Sequence, residues 1–135
     1  MPTEALTLKQ EFSVSAISSI HFFEYKSDFI FKSEYHDCCK LLYVEEGACD
    51  ILRSGHESSP ITLEKGQLYI QAPHEYYSFK AAQQTTPLLF TCGFYCDSTN
   101  MSLLAHRIFH CGRQELRLLS DLSEEGRSNF SVRVD

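Results

Sequence analysis

The chain has 135 residues, 43% hydrophobic and 22% charged, which is one domain's worth of sequence with apolar material for a single core. Twelve basic residues, scattered along the chain, face 18 acidic ones for a net charge of −6, so a phosphate-gripping surface is not expected. The apolar runs are strand-sized and the opening MPTEALTLKQEF lacks an apolar centre, which excludes a spanning helix and a secretory signal and points to the cytoplasm.

Residues 1–12 are polar and unpatterned and read as a flexible arm. From Val14 to about Tyr95 the chain reads as short β segments separated by turns. Ile20-His21-Phe22-Phe23-Glu24-Tyr25 is aromatic and β-branched, as suits a half-buried strand. Asp28 breaks it and Phe29-Ile30-Phe31 resumes. Lys40-Leu41-Leu42-Tyr43-Val44 is the strongest strand, closed by Glu45-Glu46-Gly47. Cys49 to Arg53 runs into the hairpin-type turn Ser54-Gly55-His56, and Ile61-Thr62-Leu63 leads to a second turn at Glu64-Lys65-Gly66. Gln67 to Gln71 is the next strand, stopped by Pro73, and Leu88 to Tyr95 is the last long one. Closely spaced short strands with Gly and Pro turns predict a β-sandwich or barrel.

After Ser102 the pattern becomes helical. Leu103, Leu104 and Ile108 recur at helical spacing, and Gly112 punctuates. Glu115 to Glu125 carries Leu116, Leu118, Leu119 and Leu122 between charges, which predicts an amphipathic helix stopped at Gly126. The division expected is an arm over 1–12, a barrel over 13–98 and a helical segment over 99–135.

Six cysteines (Cys38, Cys39, Cys49, Cys92, Cys96, Cys111) contain no C-x-x-C pair, so they read as small buried side chains rather than zinc ligands. His106 and His110 stand four apart beside Cys111, but no carboxylate lies at a natural third position, and they read as surface or helix-end residues. Alternation puts His36, Cys38, Lys40, Leu42 and Val44 on one face of a strand, and Leu42 and Val44 suit a barrel lumen. Lys40 is then either a pocket residue or an edge lysine paired with Glu34 or Glu75. Tyr25, Tyr43, Tyr69, Tyr76 and Tyr77 add aromatic surface with polar tips, the mixture used by ligand pockets.

The segment from His36 to Gly47, with its Tyr43-Val44-Glu45-Glu46-Gly47 ending, resembles the first motif of cupin barrels as found in AraC-family sensor domains. Gly66 to Tyr77, an apolar strand and then Pro73, resembles the second motif, and Arg107-Ile108-Phe109 with the leucine-rich helix resembles the segment joining sensor to DNA-binding domain. The resemblance runs over about residues 14 to 130. It implies a cupin-type jelly-roll barrel followed by C-terminal α-helices, with a small effector in the lumen and helices pairing two subunits. DNA would be read only by a further helix-turn-helix domain, and the chain is expected to be a sensor fragment excised from a longer regulator.

In metal-binding cupins these motifs supply His and Glu ligands. The resemblance places Lys40 at the usual Glu, His36 and Glu34 at the paired His positions, and Tyr77 at the remaining His. A lysine ammonium would repel a cation, so no metal, no cofactor and no catalysis are expected. The effector-binding residues expected are His36, Lys40, Tyr77, Tyr25 and Cys38, for a small polar molecule with an anionic group as one option. Leu116, Leu119 and Leu122 are expected to form a homodimer seam. The competing readings are a small cupin isomerase or dioxygenase using His36 and Tyr77, and a dimerisation domain with a vestigial barrel.

Overall fold

Alternating side chains divide the apolar residues between two cores, and the architecture follows. In a computed structural model residues 14–27, 30–56, 58–96 and 103–129 are described, without the side chains at 14–15, 31–34, 123 and 126–129. The arm expected over 1–12, the break at Asp28-Phe29 and the Glu34 carboxylate lie outside the described residues. The described strands are β1 (Val14–Glu24), β2 (Ile30–Tyr35), β3 (Cys39–Glu46), β4 (Ala48–Arg53), β5 (Ile61–Glu64), β6 (Gln67–Gln71), β7 (Tyr76–Ala81), β8 (Leu88–Cys96) and β9 (Ile108–His110). A helix, α1 (Arg113–Asn129), follows.

One sheet has the order β1-β8-β3-β6-β9 and the other β2-β7-β4-β5, with antiparallel pairing throughout. Successive strands cross between the sheets except at the β4–β5 hairpin and from β8 to β9, which both lie in the five-stranded sheet, the connectivity of a jelly roll. The inner core between the sheets holds Leu42 and Val44 of β3, Cys49 and Ile51 of β4, Leu63 of β5, and Tyr77 and Phe79 of β7. The outer face of the five-stranded sheet forms a second core of Ile20, Phe22, Phe90 and Cys92, and α1 covers it with Leu119. The five-stranded sheet is therefore apolar on both faces, which is why its strands read as near-continuous apolar runs.

Three expectations change. Ile108 stands in β9, not in a helix: β9 pairs with β6 in the register Leu68↔Phe109, and residues 103–106 form a turn. Backbone pairing at the edge of β6 outweighs the weak helical spacing of Leu103, Leu104 and Ile108, and it carries the barrel's sheet beyond the boundary expected at 98. Gly126 does not stop α1, which continues to Asn129, since one helical glycine costs only about 1 kcal/mol. At its other end Glu115 Oε1 accepts the Gly112 N–H at 2.9 Å, half of a capping box.

The third change concerns the leucine stripe. Leu119 is 8% exposed in the outer core and Leu122 packs beside it, whereas Leu116 and Leu118 are 41% and 62% exposed. The barrel itself takes up Leu119 and Leu122, so of the seam expected from Leu116, Leu119 and Leu122 the structure leaves Leu116 at the surface. An apolar groove of about 410 Å³ runs beside this contact, bounded by Leu68, Ile70, Leu104, Phe109 and Leu118. Leu119→Ala is expected to destabilise the fold by about 2–5 kcal/mol in urea unfolding. Leu118→Ala should stay within about 0.5 kcal/mol of the parent. Equal effects at the two positions would contradict the docking of α1 described here.

Candidate functional site

Register across the five-stranded sheet arranges the lumen face in rows. Ser19, Gly93, Lys40 and Gln71 are paired in succession across β1, β8, β3 and β6, and the next row is His21, Thr91, Leu42 and Tyr69. The row after that is Phe23, Leu89 and Val44. Directly paired residues point to the same side of a sheet. One end of the lumen is therefore polar and the other apolar.

The polar end is deeply buried: Lys40 is 5% exposed, Gln71 2% and Thr91 1%. Lys40 Nζ lies 3.5 Å from His36 Nε2, so the two residues expected to act together do meet. His36 is held at the start of β3 by its carbonyl, which accepts the His74 N–H at 2.8 Å. Gln71 Nε2, Thr91 Oγ1 and Tyr69 Oη are buried there without a hydrogen-bond partner. Leaving such an atom unsatisfied costs about 1–3 kcal/mol. Burial pushes the Tyr69 hydroxyl up to about 12, and its oxygen lies beside the Tyr77 hydroxyl but outside hydrogen-bonding geometry. Cys38 closes this end: its Sγ is 3.5 Å from Ser18 Oγ, and a Cβ at Gly93 would meet Ser18, Ser19 and Cys38 at 2.6, 2.9 and 3.3 Å.

Tyr25 is buried too, but it belongs elsewhere. It follows the Phe23 row, stacks on Phe23 at 5.6 Å between ring centroids, and donates its backbone N–H to Pro87. That is the apolar end, three side-chain rows from Lys40. Gln71 and Thr91 were not among the expected site residues, yet each places a buried polar atom without a hydrogen-bond partner at the polar end.

Tyr77 reaches the inner core from β7, opposite this sheet, and its hydroxyl is already engaged. It accepts the Ala72 N–H at 3.1 Å and donates to Glu75 Oε1 at 3.0 Å. The same Glu75 oxygen accepts from His106 Nε2 at 2.9 Å. Burial, then the charge of Tyr69 and the bond to Glu75, holds the Tyr77 hydroxyl far above its ordinary range. Partial burial opposes the Glu75 carboxylate, but the bonds from His106 and Tyr77 and the nearby Arg53 outweigh it and leave its pKa lowered.

Among the described residues, the donor set does not fit a cupin metal. The position expected for a Glu ligand carries the buried Lys40 ammonium, Tyr77 is bonded to the β6–β7 turn, and the described residues hold no group of three His, Cys, Asp or Glu able to bind an ion. The cysteines are free, and burial pushes the Cys49 and Cys92 thiols up to about 12 and about 11, far from thiolate character at neutral pH.

Glu75 yields a pH prediction. Its lowered pKa means a contribution to stability that is complete above the unfolded value, near 4.3, and is lost as pH falls through the folded value. Glu75→Gln should flatten the acid side of the stability curve measured by urea midpoints below about pH 5. Superimposable acid limbs for parent and variant would contradict the network.

No family model matches the chain, and no curated protein matches it. Solved structures do. Apo ToxT from Vibrio cholerae strain SCE256 is similar over 85% of this chain and 47% of that one, with a TM-score of 0.58 and 9% identity. ToxT from Vibrio cholerae O395 bound to (E)-4-(8-methylnaphthalen-1-yl)but-3-enoic acid gives 0.55 and 11%, over 90% of this chain and 50% of that one. Wild-type ToxT of strain SCE256 bound to an unsaturated fatty acid gives 0.52 and 10%, over 84% and 46%. The chain thus spans about half the length of these structures. At such identities the likeness is one of fold, and the strand order is that of a jelly-roll barrel.

Proposed function

We propose that this chain is the small-molecule-sensing domain of an AraC-type transcription regulator, with its effector in the polar end of the lumen. The observation that carries the reading is the set of buried polar atoms of Gln71, Thr91 and Tyr69 without partners, beside Lys40 and above an apolar wall. Ligand sites combine these features: mostly apolar walls and a few fixed donors. Supporting it, ToxT, whose fold is similar, is an AraC-family regulator and binds an unsaturated fatty acid and a naphthalenyl butenoic acid. Fold alone does not fix function, so the residues of the site carry the argument.

The effector this site suits has an acceptor-rich polar group, a carboxylate for example, against Lys40, Gln71 and Thr91, and an apolar body toward Leu42, Val44 and Leu89. His36 and Cys38 border the polar group. Tyr77 contributes its ring, since its hydroxyl is committed to Glu75. Tyr25 lines the far wall. In this reading DNA is read by a separate domain, the regulator acts in the cytoplasm without a cofactor, and Leu116 with Leu118 is the surface left on α1 for a second subunit. The reading is of a sensor rather than an enzyme, because Lys40 and Tyr77 replace metal-binding side chains.

A thermal-shift screen of small metabolites tests it: a ligand at 100 times its Kd adds about 2.7 kcal/mol to stability. Lys40→Met is expected to keep the fold and to weaken binding of any hit carrying an anionic group by about tenfold or more, the loss of one charge-assisted hydrogen bond. A hit bound equally by parent and variant would remove Lys40 from the site. Near one equivalent of iron, manganese, nickel or zinc in the purified protein would favour a cupin enzyme instead.

A further inference from the structure

Among the described residues between β8 and β9, His106 hydrogen-bonds the segment to the barrel. His106 has a left-handed backbone, φ +66°, uncommon for a non-glycine residue, and its surroundings hold it there. Three contacts do so. Its N–H donates to the Ile70 carbonyl at 2.9 Å, its Nε2 donates to Glu75 Oε1 at 2.9 Å, and its ring lies 6.5 Å from that of Tyr69. Every anchor belongs to β6 or to the β6–β7 turn. On its other side His106 leads into β9, and the chain is pinned again where Cys111 donates to the Gly66 carbonyl at 3.0 Å, two residues before α1 begins.

Glu75 Oε1 is the meeting point of this segment with the lumen, because it accepts from both His106 Nε2 and the Tyr77 hydroxyl. Tyr77 is 3% exposed and its ring is part of the inner core. A continuous hydrogen-bonded chain therefore runs from the lumen wall (Tyr77) through a single carboxylate oxygen (Glu75) to the residue that sets the path into β9 and α1 (His106). We propose that His106 is a positioning residue that couples the state of the lumen to the docking of β9 and the start of α1. An occupant that packs on the Tyr77 ring and shifts it moves the hydroxyl that Glu75 accepts from, and with it changes the hold on His106. The occupant follows from the sensor reading above; the connection is made by the chain's own residues and is testable without a ligand.

The test is a double-mutant cycle read by amide hydrogen exchange at Ile108–His110 and Cys111 in the full chain, the direct way to establish coupling between sites. Tyr77→Phe removes one oxygen inside the barrel. His106→Asn removes the imidazole while keeping a residue that accepts a left-handed backbone. Each is expected to speed exchange at these amides about tenfold, the worth of one charge-assisted hydrogen bond. The double variant should be close to either single one, because both break the same chain. Glu75→Gln, at a partly exposed position, provides the third point and should reproduce the single-variant exchange. Two results would overturn the proposal: independent effects that multiply to about a hundredfold, or a Tyr77→Phe variant that leaves β9 unchanged. Either would leave ligand binding in the lumen untouched, and a failed metabolite screen would leave the cycle untouched, so the two readings fail separately.

Discussion

The two-residue alternation along β3 and β8 is the constraint on which the rest of the molecule depends. Leu42 and Val44 point into the barrel while Leu41 and Tyr43 point to the helix side, and on β8 Leu89 and Thr91 divide in the same way from Phe90 and Cys92. A slip of one residue in either strand would exchange its two sets, and in β3 it would put Lys40 in the outer core. Both cores thus fix the register together. The helix is part of that specification, since without Leu119 the outer face of the sheet would present Ile20, Phe22, Phe90 and Cys92 to water.

The same alternation makes the lumen unequal along its length. Phe23, Leu89 and Val44 form a row that water has no reason to enter, and beside Lys40 the buried Gln71 Nε2 and Thr91 Oγ1 are without hydrogen-bond partners. Natural interiors seldom leave such atoms unpaired. Their grouping on β6 and β8, the two strands that flank β3, is what an apolar core does not need and a ligand does. Gly93 contributes by omission, because Ser18, Ser19 and Cys38 fill the space that a side chain would require.

Much of the barrel is legible in the sequence. Lys40 to Val44, Gln67 to Gln71 and Leu88 to Tyr95 announce themselves by apolar runs between turn residues, and each is a strand. β7 is hidden because the turn after it carries none of the usual residues. Gln83 and Gln84 both take a left-handed backbone, at φ +55° and +57°, and Thr85 donates to the Ala82 carbonyl, a type I′ geometry normally signalled by Asn-Gly. β9 is hidden because three residues are too few to show a period, and it exists only by pairing with β6. The site was half legible. Strand parity brings His36 and Lys40 together, but Tyr25 shares their face without sharing their end. Gln71 and Thr91 could have been found as polar interruptions in strands buried on both faces, a signal that appears only once α1 is known to cover the outer side.

The account's central claim is that the Lys40–Gln71–Thr91 end of the lumen exists to hold a small molecule. Electron density in the lumen of the protein purified from cells, at a resolution that separates its atoms, tests this most directly. The account predicts a bound molecule placing acceptor atoms within hydrogen-bond distance of Lys40 Nζ and Gln71 Nε2, with Thr91 Oγ1 as a third contact. A dry, closed lumen in which Gln71, Thr91 and Tyr69 satisfy one another would contradict it.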